Sequence, residues 1–132
     1  MYSALKVVVC LTVIAVTAAM LSRSISPATE ASSVVGTRCG WFENPTPANA
    51  WLVDRDGEWE ISVQGVGGLL DGWPNFKPRQ WVNTNGHYGY GCACMKVTVD
   101  KKEKRVTKII SSYAKPLSAC KKDKGLKGKE PY

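Results

Sequence analysis

From Glu58 to Val63 the chain alternates polar and apolar side chains: Trp59, Ile61 and Val63 against Glu58, Glu60 and Ser62. A period of two is the mark of a strand with one face buried and one wet. Residues 50–54 read as its partner, because Arg55-Asp56-Gly57 between them is a strong hairpin turn. Residues 90–100 form the strongest strand. Ala93, Met95, Val97 and Val99 fall on its core face, and Cys92, Cys94, Lys96 and Thr98 on the outer one. A charged turn at residues 101–104 leads into a return strand, residues 105–113. Residues 80–84 make a short strand before the Asn85-Gly86 turn.

Cys39-Gly40-Trp41-Phe42 is a short extended segment, ended by Asn44-Pro45-Thr46-Pro47, whose prolines force an extended or turning backbone. Residues 64–79 hold Gly65, Gly67, Gly68, Gly72, Pro74 and Pro78 and read as a long loop. After Pro116, residues 117–124 suit a short helix stopped at Gly125. The expected fold is mainly β: a small antiparallel sheet of about five strands with a short C-terminal helix. Closure of the sheet into a barrel is not written in the pattern.

The apolar positions before this region follow a different rule. Lys6 supplies a short positive start, and residues 7–19 are apolar and uncharged. Small or tolerated residues in Val16-Thr17-Ala18 and Thr17-Ala18-Ala19 place a signal-peptidase cut near residue 19, with a second possible cut after Ala31. A membrane span wants ~20 apolar residues, and Ser22-Arg23 breaks this run first. Residues 1–21 are thus expected to be a signal peptide, leaving no stable membrane span after cleavage. Val9 before Cys10 is too bulky for a lipoprotein cut. Residues 22–37 read as a flexible lead-in, residues 38–124 as one β-rich domain, and residues 125–132 as a basic flexible tail.

Setting Cys10 aside leaves Cys39, Cys92, Cys94 and Cys120, an even set that allows three pairings. Cys92 and Cys94 point the same way from one strand and cannot easily bond to each other. Cys39 and Cys120 are therefore each expected to join one of Cys92 and Cys94. Bridges that close long loops contribute ~2–4 kcal/mol each, which matters to a domain of about a hundred residues with a modest core. The rival reading is a soft-metal site built on Cys92, Cys94 and Met95. No second Cys-x-Cys or Cys-x-x-Cys supports it, and Met95 projects from the opposite face. Disulfides are expected, with no metal and no cofactor, and they suit a periplasmic or secreted protein.

The formal net charge of +7 is unevenly spread. From Lys96 onward twelve Lys/Arg face four Asp/Glu, whereas residues 32–95 hold four against six. Such a tail binds anionic partners in some proteins, but charge runs are mostly solvated faces, and export argues against nucleic acid as a partner. All five tryptophans lie between Trp41 and Trp81. Trp41, Trp51 and Trp59 are expected in the core, where their large area is best used. Trp73 and Phe76, in the Gly/Pro loop, are the aromatic side chains expected on display. With Asn75 between them, and His87 and Tyr88 in the second Gly-rich loop, they form the candidate binding set.

His87 is the one histidine, so no two-histidine acid–base scheme can be built. Asp54, Asp56, Glu58 and Glu60 cluster at the hairpin, where two such carboxylates would suit a glycosidase, and a small ribonuclease would use Glu58, His87 and Arg55. Nothing in their spacing requires one, and no catalytic residue is assigned.

Cys39-Gly40-Trp41-Phe42, Asn44-Pro45-Thr46-Pro47, Asn49-Ala50-Trp51, Asp54-Arg55-Asp56-Gly57-Glu58-Trp59, Gly89-Tyr90-Gly91-Cys92-Ala93-Cys94 and Pro116-Leu117-Ser118 with Cys120 are specific motifs. Through them the mature domain resembles a bacterial family of short exported proteins catalogued only as a domain of unknown function. Residues 66–70 are less polar than that family's pattern. The resemblance implies an envelope or secreted location and brings no activity. The expected function is a non-catalytic binding protein of the envelope, an inhibitor or immunity-type partner of a cell-wall-acting enzyme. The alternatives are a carbohydrate- or peptidoglycan-binding module using exposed tryptophans and a small hydrolase. The partner would be a protein of the envelope or a glycan.

Overall fold

A computed structural model describes residues 33–132. The expected signal peptide, its cut sites and the lead-in up to residue 32 lie outside the described residues. Six strands follow one another: β1 (Ser33–Thr46), β2 (Asn49–Asp54), β3 (Gly57–Ser62), β4 (Trp81–Asn85), β5 (Tyr88–Asp100) and β6 (Arg105–Lys115). A 3-10 turn at Pro78–Gln80 precedes β4. The chain ends in the short helix α1 (Leu117–Lys122) and a 3-10 turn at Lys124–Leu126. The fold is mainly β, as the alternation implied, with one strand more than the expected five. No helix among the described residues is long and apolar enough to cross a membrane.

β5 is the strand around which the others assemble. Along one side it runs antiparallel to β1, from Ser33↔Asp100 to Asn44↔Gly89. Along the other, its first residues pair with β4 and the rest with β6, from Cys92↔Lys115 to Asp100↔Arg105. β1 also pairs with β2, and β2 with β3 across the Arg55-Asp56 turn. The ring closes where β3 meets β6 in parallel at Glu60↔Arg105. There the Glu60 N–H donates to the Lys104 carbonyl at 2.9 Å, and Arg105 Nε donates to the Glu60 carboxylate at 2.9 Å. Strands β1-β2-β3-β6-β5 thus form a five-stranded barrel with one narrow seam, the plan of OB-type barrels.

Alternation then sorts the side chains. Ala93, Met95, Val97 and Val99 of β5 enter the barrel with Phe42, Leu52 and Trp59. The outer face of the first half of β5 is also covered, because α1 and the chain end fold over it. Trp41, Tyr90, Cys92, Cys120 and Leu126 form this second apolar cluster. Cys39–Cys94 and Cys92–Cys120 are the two disulfides among the described residues, so each flanking cysteine takes one member of the Cys-Ala-Cys pair. Met95 lies inside the barrel, away from all four sulfurs.

Three expectations change here. The lead-in does not extend to residue 37, because Ser33–Thr37 are the first residues of β1, paired with Lys96–Asp100 of β5. Residues 125–132 are not a free tail. Leu126 is only 3 % exposed, and burying such a side chain stabilises by about 1.5–3 kcal/mol. Lys129 Nζ donates to the carbonyls of Asp54 (2.8 Å) and Arg55 (3.1 Å), and the Tyr90 hydroxyl donates to Glu130 at 3.2 Å. Trp51 is half-buried on the outer face rather than in the core, opposite Glu43 and Glu60 on the neighbouring strands.

One end of the barrel is held by a buried ion pair. The Asp54 carboxylate accepts from Arg38 (2.7 Å), from the Trp59 indole N–H (3.0 Å) and from the Asp56 backbone N–H (2.8 Å). The Arg38 guanidinium stacks 3.7 Å from the Trp59 ring centroid, and Lys104 Nζ lies 4.4 Å from it. Cations over an indole face are attracted by the ring quadrupole, so a buried tryptophan and a buried carboxylate satisfy each other's polar demands.

Candidate functional site: an open aromatic cleft

Phe42 turns into the barrel from β1 and leaves its ring edge at the barrel's end. Around it gather Trp73 (5.5 Å between ring centroids), Phe76 (5.8 Å) and Trp81 (6.4 Å), with Phe76 and Trp81 4.8 Å apart. Such edge and tilted contacts are worth about 0.5–1.5 kcal/mol each beyond buried area. With Asn44 and Pro74 these rings line an open cleft of about 250 Å³.

The loop that carries Trp73 and Phe76 is tied down along its length. The Ser112 hydroxyl donates to the Gly72 carbonyl at 2.6 Å, and Pro74 is buried. The Gln80 side chain accepts from the Lys77 N–H at 3.1 Å, which sets the 3-10 turn before Trp81. Gly91 makes the close approach possible: a Cβ there would collide with the Phe76 ring and come within 2.6 Å of the Gln80 carbonyl. Asn44 Nδ2 donates to the carbonyls of Thr46 (2.8 Å) and Asn49 (2.6 Å), fixing the β1–β2 turn at the cleft's edge.

Of the five candidate binding residues, the structure brings Trp73 and Phe76 into the cleft. Trp73 is not displayed: it is half-buried, packed edge-on to Phe42, and its indole N–H is buried with no acceptor among the described residues. Asn75 is exposed beside them but does not line the cleft. His87, in the β4–β5 turn, and Tyr88, the first residue of β5, have ring centroids 4.1 Å apart, with His87 exposed and Tyr88 half-buried. Trp81 joins the two loops, since its indole N–H donates to the His87 carbonyl at 3.1 Å. Phe42, Asn44, Pro74 and Trp81 are the cleft residues that sequence reasoning missed. Their only signal was aromatic or Asn-Pro composition, which does not distinguish a cleft wall from a core.

Three of the four hairpin carboxylates are otherwise engaged. Asp54 is buried in its three hydrogen bonds, Asp56 receives a second Arg38 bond at 3.1 Å, and Glu60 pairs with Arg105. Glu43, on the outer face near Glu58, has its carboxyl held above the ordinary range by burial and then by the Glu58 charge. Glu58 and His87 are not brought together. Glu58 shares a row with Val53, Trp41 and Cys92, whereas His87 precedes Cys92 by five residues along the sheet. At ~3.3 Å per residue this is about 16 Å, far beyond proton-transfer reach.

A family model described as protein of unknown function (DUF4087) matches residues 33–127, more than half of the chain. No curated protein and no solved structure matches.

Proposed function

We propose that this chain, which belongs to the DUF4087 family of proteins of unknown function, is an exported, non-catalytic binding protein of the bacterial envelope, an inhibitor or immunity-type partner of a cell-wall-acting enzyme. The observation that carries the reading is the aromatic cleft at the end of a doubly bridged barrel, with the exposed His87 of the β4–β5 turn joined to it through Trp81. A rigid scaffold that displays loops loses little ordering entropy when it fills another protein's cleft. Aromatic side chains on fixed loops are the usual anchors of such interfaces. The two disulfides support an oxidising compartment. Inhibitors of lysozymes and immunity proteins share this general plan, a likeness of fold level only.

Affinity capture from an envelope extract tests the reading, with the oxidised mature domain beside its His87→Ala/Tyr88→Ala variant. His87 is exposed in the turn and Tyr88 is half-buried at the first position of β5, outside both apolar clusters, so the variant keeps its fold while losing the stacked pair. Capture of a cell-wall-acting enzyme by the wild type and its loss in the variant are expected. Equal capture by both proteins would take the partner surface away from this turn.

A second reading, a glycan- or peptidoglycan-binding module, is favoured by one feature: the buried Trp73 N–H, which has no acceptor among the described residues, beside stacked rings and Asn44. Buried N–H groups normally find a partner, and a sugar hydroxyl offers one. Tryptophan fluorescence that shifts with muropeptides, with no protein captured, would decide for it.

A further inference from the structure

The two bridges stand side by side on the outer face of β5, yet their surroundings differ. Cys92 and Cys120, the latter carried by α1, are 2 % and 3 % exposed and pack against Leu126. In the other bridge, Cys94 is 4 % exposed while Cys39 belongs to the exposed residues of β1. Cys39 also lies between two open cavities. One, of about 190 Å³, is lined by Cys94, Cys92, Cys120 and Lys115 among others. The second, of about 320 Å³, is lined by Arg38, Asp54, Arg55 and Asp56.

We infer that Cys39–Cys94 is an exchange site for an incoming thiol, while Cys92–Cys120 is the lasting structural bridge. A thiolate approaching through the outer cavity meets the Cys39 sulfur. Its electron pair forms the new S–S bond to Cys39, and the electron pair of the old bond leaves with the Cys94 sulfur. The product is a mixed disulfide at Cys39 and a thiolate at Cys94. A second thiol equivalent completes the reduction, releasing the oxidised disulfide of the attacking thiol and a Cys39 thiol. Cations beside sulfur favour both partners, because they stabilise thiolates. At the cavity of approach the Asp54 and Asp56 carboxylates are held by Arg38 and Arg55 is paired with Asp123, whereas Lys115 lines the cavity that receives the Cys94 thiolate and is the cation placed to stabilise it. Asp123, also on that lining, is already engaged by Arg55 and by the Gly125 N–H.

The fold can carry this chemistry without opening. Cys39 and Cys94 are opposite residues in a ladder that runs unbroken from Ser33↔Asp100 to Asn44↔Gly89, so β1 stays paired when the bridge is cut. Cys92 and Cys120 reach the lining of the inner cavity but are only 2 % and 3 % exposed, so full access to their bridge needs a local lifting of α1, which lowers the exchange rate.

Incubating the oxidised protein with reduced glutathione, blocking free thiols at intervals and mapping peptides by mass spectrometry tests the assignment. Glutathione is expected on Cys39 and a blocked free thiol at Cys94. Opening of Cys92–Cys120 should be at least about tenfold slower, with the β-sheet circular dichroism unchanged. Lys115→Met should slow the exchange by about three- to tenfold at low salt, with the effect fading at high salt. A Cys39→Ala/Cys94→Ala variant should take up no glutathione. Adducts on Cys94, earlier opening of Cys92–Cys120, or release of all four thiols only on unfolding would each overturn the inference.

Discussion

Replacing Asp54 with alanine removes one carboxylate and strands three donors. Arg38, its side chain 13 % exposed, loses its nearest anion at 2.7 Å, and the buried Trp59 indole N–H and the Asp56 N–H lose their acceptor. Breaking one side of a buried ion pair costs about 3–5 kcal/mol, and an orphaned buried donor about 1–3 kcal/mol. These terms overlap, so we expect a total near the upper end of the ion-pair range. A domain of this size is stable by only about 5–15 kcal/mol, and such a loss moves the urea midpoint by about 2 M. Asp54→Asn separates the contributions. Both neutral donors bond Oδ1, which the amide retains, whereas Arg38 bonds Oδ2, which becomes an N–H group. The asparagine variant should therefore lose less than the alanine one, by about 1–3 kcal/mol. Urea unfolding of the oxidised proteins at neutral pH, in a double-mutant cycle with Arg38→Met, measures each term. An alanine variant within 1 kcal/mol of wild type (an estimate below the bottom of the ion-pair range), or two variants of equal stability, would refute this account of the barrel end.

Leu126→Ala should cost about 2–4 kcal/mol, as a cavity in the outer cluster, and thermal melts would show it; an unchanged melting temperature would mean that the chain end does not pack there. Gly91→Ala should displace Phe76 from the cleft, since the added methyl meets its ring. Loss of near-ultraviolet aromatic dichroism, with the far-ultraviolet signal kept, is the expected readout. Tyr90 ionises above its ordinary range because burial, then the Glu130 charge and its hydrogen bond, disfavour the phenolate. The unfolded chain therefore releases this proton first, and stability is lost as pH rises beyond about 10. Glu130→Gln should make that alkaline loss shallower in urea midpoints measured against pH.

Much of the sheet was legible because alternation is local. The faces of β5 follow from Ala93-Cys94-Met95-Lys96-Val97, and the β2–β3 hairpin from Asp56-Gly57. The start of β1 was not, since Ser33-Val34-Val35-Gly36-Thr37 has no clear period and becomes a strand only because β5 offers it an edge. Barrel closure rests on Glu60 meeting Arg105, two charged residues far apart in the chain that leave no apolar signature. The chain end misleads through composition: a single Leu126 among lysines looks solvated until the outer face of β5 is seen to need a cover. Trp73 misleads similarly, because a loop rich in Gly and Pro suggests display, yet the ring edge of Phe42 draws it inward. Cys39, Cys92, Cys94 and Cys120 were legible as a set, but their partners depend on the β1–β5 register, which nothing local fixes.

That register has a consequence for how the molecule is made. Ribosomes deliver chains from the amino end, so Cys92 becomes available to Cys39 before Cys94 does. Oxidation in order of appearance would link Cys39 to Cys92 and leave Cys94 to Cys120, an isomer that offsets β1 against β5 by two positions. Cys94, however, follows Cys92 within a fraction of a second of synthesis, whereas disulfides form over seconds or longer, so it is the pairing of β1 with β5, not order of arrival, that selects the native isomer.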